Sequence, residues 1–330
     1  MLPLPPFALR TPGTLDEAVE LLHALGPDAQ LIAGGTDILP NMKQGLLAPR
    51  ALVSLQRVEA LRGIEREGDA FRIGAMTPLE TVARDPRLGE ELHVLAEAAA
   101  AVGGPLHRRM GTLGGNVCLD TRCRYINQTH FWRESLGFCL KVDGTKCHVV
   151  AKGRNCVAAA SNDTATALIA LDASLELRSV RGGRTVAIAD FYTADGIFNQ
   201  TREPDEILVA IRVPVVRGQR SAYEKLRMRA SIDFPLLSIA ARADVDGGRL
   251  ARLEVVVSAL AARPRLLRAA RDVPKGATLD ATLVDALAKA ASRECRPLPN
   301  IDGDDVWRHE MVPVLTRRAL ERLAGSAAAE

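Results

Sequence analysis

Gln30-Leu31-Ile32-Ala33 is a strand-like apolar run that ends at Gly34-Gly35-Thr36-Asp37, and a helix is expected from about Ile38. A strand feeding a double-glycine turn and then a helix is the joint of an α/β unit. Its glycines let the backbone approach groups that a side chain would exclude. The surrounding chain agrees. Phe7-Ala8-Leu9 predicts a short strand, and Thr14-Leu15-Asp16-Glu17 predicts a capping box opening an amphipathic helix through Leu25, which Gly26 ends. Ala51–Leu55 gives a third strand, near which the first unit closes.

A second glycine motif, Gly111-Thr112-Leu113-Gly114-Gly115-Asn116, follows about eighty residues later. Two amide-lined turns approaching from different sides can neutralise a pyrophosphate without any basic side chain, with Thr36 and Thr112 adding hydroxyls. Read alone, Gly34-Gly35-Thr36-Asp37 is more simply a tight turn, and Asn116 either contacts a ligand or occupies a left-handed backbone position. Arg108 and Arg109 beside the second motif either help or form a solvated face. Neither the Gly-x-Gly-x-x-Gly nor the Gly-Lys-Ser/Thr pattern of the commonest dinucleotide and NTP folds occurs in the sequence. Between the motifs we expect a strand at Phe71–Ala75, a helix from Thr77, and a longer helix across Glu90 to Val102 that Gly103-Gly104-Pro105 stops.

Five of the six cysteines, Cys118, Cys123, Cys139, Cys147 and Cys156, fall within 39 residues. No charged and apolar leader opens the chain and no apolar run approaches the roughly 18 residues of a membrane helix, so a soluble cytoplasmic protein is expected. In that setting a cysteine cluster favours a metal or redox site over disulfides. Cys123, Cys139, Cys147 and Cys156 are separated by 15, 7 and 8 intervening residues, far looser than a ferredoxin run. Spacing leaves a tetrahedral zinc site, an iron–sulfur cluster and unligated thiols all open. Cys295 stands apart as a buried thiol. The 43 basic and 40 acidic residues are spread without a block of like charge, which argues against nucleic acid as a partner.

Beyond Ser161-Asn162-Asp163 a helix is expected over Thr164–Leu171, then strands at Ser174–Arg178 and Thr185–Ile188 joined by a hairpin, and another at Ile207–Val213. Three further strand-like runs, Tyr223–Met228, Leu236–Ala243 and Leu250–Ser258, precede helices at Leu279–Ser292 and Val306–Leu323. The 330 residues divide, on this reading, into 1–57, 58–218 with an insertion at 117–160, and 219–330.

Ala33-Gly34-Gly35-Thr36-Asp37, Thr112-Leu113-Gly114-Gly115-Asn116 and Ser161-Asn162-Asp163 together resemble the FAD-binding subunits of the xanthine oxidase family. The resemblance runs on through Asp205-Glu206-Ile207-Leu208 and Tyr223-Glu224-Lys225 with Asp233-Phe234-Pro235. It implies an α+β chain: a p-cresol-methylhydroxylase-like FAD-binding fold, one subdomain α/β, with a C-terminal sheet-and-helix domain. By position, Gln30, Leu31, Ile32, Ala33, Gly34, Gly35, Thr36 and Asp37 would contact the FAD diphosphate and ribose, together with Thr112, Gly114, Gly115 and Asn116. Asp163 would bind the adenosine part or its ribose, and Lys225 would lie close to the flavin. Read on its own, Lys225 is either such a contact or, equally well, an exposed strand lysine.

The resemblance implies that most relatives cross from the second glycine motif to the Ser-x-Asp helix in a short connection, whereas this chain inserts about forty residues there. The insertion is similar to that of the β subunits of 4-hydroxybenzoyl-CoA reductases, which house an additional [4Fe-4S] cluster. That similarity implies Cys123, Cys139, Cys147 and Cys156 as ligands, with Cys118 tied to the FAD turn. Tyr125, Phe131, Trp132 and Phe138 would shield the cluster or pack the insertion, and His130 and His148 are spare ligand candidates.

The activity implied is that of an oxidoreductase subunit, with no catalytic residue on this chain. Ferredoxin would supply electrons that travel through [4Fe-4S] and FAD to [2Fe-2S] centres in a small subunit. A molybdopterin-binding large subunit would then dehydroxylate 4-hydroxybenzoyl-CoA to benzoyl-CoA, in a dimer of heterotrimers. Two alternatives stand beside this: an FAD subunit of another family dehydrogenase whose insertion carries structural zinc, and a nucleotide-binding scaffold without FAD.

Overall fold

The computed structural model describes residues 2–325. Three short strands, β1 (Ala8–Arg10), β2 (Ala29–Ile32) and β3 (Ala51–Ser54), form a parallel sheet in the order β1-β3-β2. Parallel neighbours need crossover connections. The helix α1 (Leu15–Leu25) supplies one, starting where Thr14 and Glu17 close a reciprocal capping box and stopping at Gly26 with φ 60°. Ala18, Val19 and Leu22 bury its inner face against Val53 and Leu55 of the first core. The loop after β2 enters the short helix α2 (Ile38–Lys43), which leads back toward β3.

The second sheet is antiparallel and five-stranded, made of β4 (Ile64–Glu67), β5 (Ala70–Gly74), β6 (Ser174–Ser179), β7 (Gly182–Ala187) and β8 (Ile207–Pro214) in the order β4-β5-β8-β6-β7. β4 was not expected. It pairs with β5 across Gly68, whose φ of 61° makes the hairpin turn. Helices α3 (Leu79–Arg84), α4 (Pro86–Glu91), α5 (His93–Ala100), α6 (Pro105–Met110) and α7 (Leu113–Val117) cover the sheet. Beyond the insertion's α8 (His130–Ser135) comes α9 (Asp163–Ala170). Leu88, Leu92, Leu95, Leu113, Leu168 and Ile211 belong to their shared core.

The single helix expected across Glu90 to Val102 is two. Asp85 caps α4 by accepting from the Arg87 and Leu88 amides, Pro86 fits the first turn, and the chain breaks at Leu92 with φ −132° and ψ 47°. The break lets Leu92 reach the core from the corner between two helices.

A third antiparallel sheet, β9 (Gln219–Leu226), β10 (Leu237–Asp246), β11 (Arg249–Ser258) and β12 (Arg265–Leu266), runs in the order β12-β11-β10-β9. The amphipathic helices Ala281–Glu294 and Asp305–Gly325 pack on one face through Val284, Leu287, Val312 and Leu320. Tyr223, Ala240 and Val256 of the other face enter the core of the second sheet, so the last two layers share buried surface. Mixed helix and sheet in this arrangement is the α+β architecture expected. Among the described residues no helix is long and apolar enough to cross a membrane.

The second glycine motif is a helix start and not a turn. Thr112 caps α7, its hydroxyl accepting from the Gly115 amide, and both glycines lie within the helix. Gly114 is there for room: an added Cβ would lie 2.6 Å from the Ala75 Cβ and 2.8 Å from its carbonyl oxygen. Gly114→Ala is therefore expected to cost about 1–3 kcal/mol and lower the urea midpoint; an unchanged midpoint would mean α7 slides freely on Ala75.

Candidate functional site

The loop from Ala33 to Asp37 is held from below by the second motif. A Cβ on Gly34 would run into the Met110 carbonyl oxygen and lie 2.9 Å from the Gly111 nitrogen, so only glycine fits. Gly35 follows with φ 73°, a left-handed turn that a side chain would strain. The contact extends to both sides: Ala33 faces Gly115, and the Thr36 hydroxyl faces Gly111. Gln30, Leu31 and Ile32 lie in β2, where Leu31 packs on the first core and the Ile32 carbonyl accepts from the Leu55 amide at 3.0 Å.

Among the described residues the backbone N–H groups of Gly34, Gly35, Thr36 and Asp37 have no protein acceptor. Consecutive free amides around a glycine turn form a concavity of partial positive charge suited to an anion. The second motif differs from its expected part. The Leu113, Gly114, Gly115 and Asn116 amides donate to Thr77 O, Ala75 O, Thr112 Oγ1 and Thr112 O at 2.9, 2.8, 3.1 and 2.9 Å, so none remains for a pyrophosphate. Asn116 is helical and not left-handed. Its Oδ1 accepts from the Thr164 amide at 3.0 Å and hydroxyl at 2.6 Å, which leaves its Nδ2 without a protein partner among the described residues.

Asp163 and Lys225, expected as separate ligand contacts, are partners. Lys225 Nζ lies 2.9 Å from Asp163 Oδ2, the Tyr223 hydroxyl donates to Oδ1 at 2.6 Å, and the Ala101 carbonyl accepts a second ammonium proton at 2.9 Å. The two side chains are only 4% and 3% exposed, so Lys225 is no surface strand lysine. Burial raises the Asp163 carboxyl and lowers the Lys225 ammonium, each opposed by the charge of the other. This pair ties the start of α9 to β9.

Cys123, Cys139, Cys147 and Cys156 line one small cavity with Tyr125 and Lys141. All four are free thiols, and the Val150 and Ala158 amides donate to the Cys147 and Cys156 sulfurs at 3.4 Å each. Burial pushes the Cys123 thiol up to about 11, with the other three thiols adding to the rise. Among the described residues no three His, Cys, Asp or Glu side chains converge on a point fit for a single ion. Zinc would require four sulfurs about 2.3 Å from one centre.

Cys118 packs against the core of the second sheet and takes no part in the cavity. Cys295 is buried in the core of the third sheet. His148 is occupied, its Nε2 hydrogen-bonded to Phe138 O at 2.6 Å and its ring stacked on Tyr125 at 5.1 Å, and His130 is exposed. Phe131 is 81% exposed, so of the two roles expected for it, shielding the cavity does not apply.

Two buried cations beside these sites were not among the expected residues. Arg122 pairs with Asp37 at the glycine loop, lies 4.6 Å over the Phe234 ring, and is pushed down to about 10 by burial. Lys141 is buried against the thiols. The only available signal was their place next to, or two residues from, a cysteine.

Residues 5–216 match the family described as the FAD binding domain in molybdopterin dehydrogenase, and residues 221–323 match the CO dehydrogenase flavoprotein C-terminal domain. The chain is 30% identical over 317 residues to the carbon monoxide dehydrogenase medium chain of Hydrogenophaga pseudoflava, covering 96% of each. It is 27% identical to the xanthine dehydrogenase FAD-binding subunit of Escherichia coli O157:H7, covering 95% of this chain and 94% of that one. The solved carbon monoxide dehydrogenase of H. pseudoflava superposes with a TM-score of 0.81 at 29% identity, over 98% of this chain and 99% of that chain.

Lys225→Met would leave the Asp163 carboxylate buried without its cation, at an expected cost of about 3–5 kcal/mol. The double variant Asp163→Asn with Lys225→Met should recover most of that loss in urea denaturation; equal losses would mean that the pairing is not what matters.

Proposed function

The chain belongs to the FAD-binding medium subunits of the xanthine oxidase family, and from that premise we propose that it is the electron-transfer subunit of a 4-hydroxybenzoyl-CoA reductase, carrying a [4Fe-4S] cluster in addition to FAD. The observation that carries this reading is the ring of four thiols supplied by the 117–160 insertion. FAD binding follows from family membership; the cluster and the substrate are the proposal. None of the three proteins compared above is named for an iron–sulfur centre on this subunit or for a CoA thioester.

When bound, FAD exchanges one or two electrons and a [4Fe-4S] cluster exchanges one, which suits a path between carriers of unlike stoichiometry. The chain's own part is placement. The free amides of Gly34 to Asp37 would hold the diphosphate, with the side-chain amide of Asn116 donating nearby. Gln30, Leu31, Ile32 and Ala33 shape the approach, and Thr112, Gly114 and Gly115 support the loop by packing. Lys225, pinned by Asp163, would hold its positive charge toward the flavin end. Cys123, Cys139, Cys147 and Cys156 would ligate the cluster, and the amides of Val150 and Ala158 would donate to two of its sulfurs.

The same proposal divides the chain at 1–57, 58–218 and 219–330. It includes a molybdopterin-binding large subunit, a [2Fe-2S] small subunit, ferredoxin as donor, a dimer of heterotrimers and a cytoplasmic site. These rest on the resemblance of the insertion to that of the reductase β subunits.

In the intact complex, Cys139→Ser is expected to remove about four irons per copy of this chain, and the broad visible absorbance with them, while flavin content stays unchanged. Loss of zinc in place of iron, or unchanged iron, contradicts the ligand set. With reduced ferredoxin as donor the wild-type complex should convert 4-hydroxybenzoyl-CoA to benzoyl-CoA; no turnover with iron fully loaded would leave a cluster-bearing subunit of another dehydrogenase.

A further inference from the structure

Lys141 is a cation almost out of reach of water on the wall of the thiol cavity. Its side chain is 7% exposed, and its Nζ lies 2.7 Å from Asp120 Oδ1, 2.6 Å from Thr121 Oγ1 and 2.7 Å from Gly196 O. An ammonium has three protons, so these three oxygens fix it in one place. The Thr121 hydroxyl is itself held to Gly196 O at 2.7 Å. Gly196 also marks how tightly this corner closes on the sulfur: a Cβ there would lie 2.8 Å from Cys156 Sγ.

A surface loop does not need a buried lysine in order to pack, and desolvating an ammonium is costly. The charge is compensated unevenly. Asp120, the carboxylate partner, is 54% exposed and its field is screened by water, whereas the Lys141 side chain on the cavity wall is only 7% exposed. Lys141 and Cys156 line the same cavity. A second buried cation, Arg133, is held by the Gln44, Gly45 and Gln128 carbonyls.

We propose that Lys141 sets the reduction potential of the iron–sulfur cluster, raising it by holding a fixed, desolvated positive charge against the thiolate cage. This rests on the reading that the cavity holds such a cluster. Reduction adds one electron, supplied by a one-electron donor of the ferredoxin class, and no bond forms or breaks. A positive charge at the cage favours the reduced, more negative state over the oxidised one.

The test is a redox titration of the intact complex followed by electron paramagnetic resonance, with iron, sulfide and flavin measured on the same samples. Lys141→Met should keep its iron and flavin and shift the cluster potential negative. At the wild-type midpoint the ratio of reduced to oxidised cluster should fall about tenfold. Lys141→Arg, which keeps the charge, should stay near wild type. Asp120→Asn removes the compensating carboxylate and should shift the potential positive, so it decides the matter even where Lys141→Met loses the cluster. An unchanged potential in an iron-loaded Lys141→Met or in Asp120→Asn overturns the assignment. A wild-type complex with no iron on this subunit would instead overturn the cluster reading itself.

Discussion

The structure depends on one backbone contact, the approach of Gly34 to the carbonyl of Met110 and the amide of Gly111. A single methyl group at Gly34 would separate the loop of the first sheet from the helices of the second. Because glycine is there, Ala33 meets Gly115, and Thr36 meets Gly111. The loop is thereby braced from behind while its amides stay open in front. Unpaired amides are ordinarily tolerated only where water or a ligand reaches them, and a braced row of them is preorganised for an anion. Bracing is the work of the second glycine motif, whose amides from Leu113 to Asn116 are taken up.

From that loop the chain passes to the thiols in one step. Asp37 closes the loop by accepting from Asn41 and pairing with Arg122, and Arg122 immediately precedes Cys123. Arg122 is also hydrogen-bonded through its backbone to Ala159 at 2.8 and 2.6 Å, at the far end of the insertion. The insertion therefore leaves and re-enters the domain through a two-residue bridge beside the glycine loop. Arg133 pins the outer part of the insertion to the Gln44 and Gly45 carbonyls after α2. A dinucleotide and an inorganic cofactor on this chain would be neighbours because the same short elements position both.

Much of the fold could be read from local signals. The capping box at Thr14, the stop at Gly26 and the alternation of β6 each have a nearest-neighbour cause, and each fell where expected. The break at Leu92 did not, although Asp85-Pro86 announces a helix start; the apolar run across it gives no sign of bending, because both helices bury the same kind of side chain. Gly114-Gly115 read as a turn because glycine pairs mark turns, whereas here the missing side chains serve helix packing against Ala75. Asp163 and Lys225 lie 62 residues apart, and only the tertiary fold makes them a pair. Lys141 was invisible for a related reason, since a lysine between cysteines reads as a solvated residue until its three oxygen partners are known.

The central claim is that one segment seats a dinucleotide on the open amides after β2 and a polynuclear iron centre on the four thiols beside it. Anomalous diffraction from crystals of the complex, collected on both sides of the iron and zinc absorption edges, tests this most directly. The account predicts an iron signal enclosed by the sulfurs of Cys123, Cys139, Cys147 and Cys156, with the diphosphate of FAD against Gly34 to Asp37. A zinc signal there, or a diphosphate bound away from that loop, would contradict it.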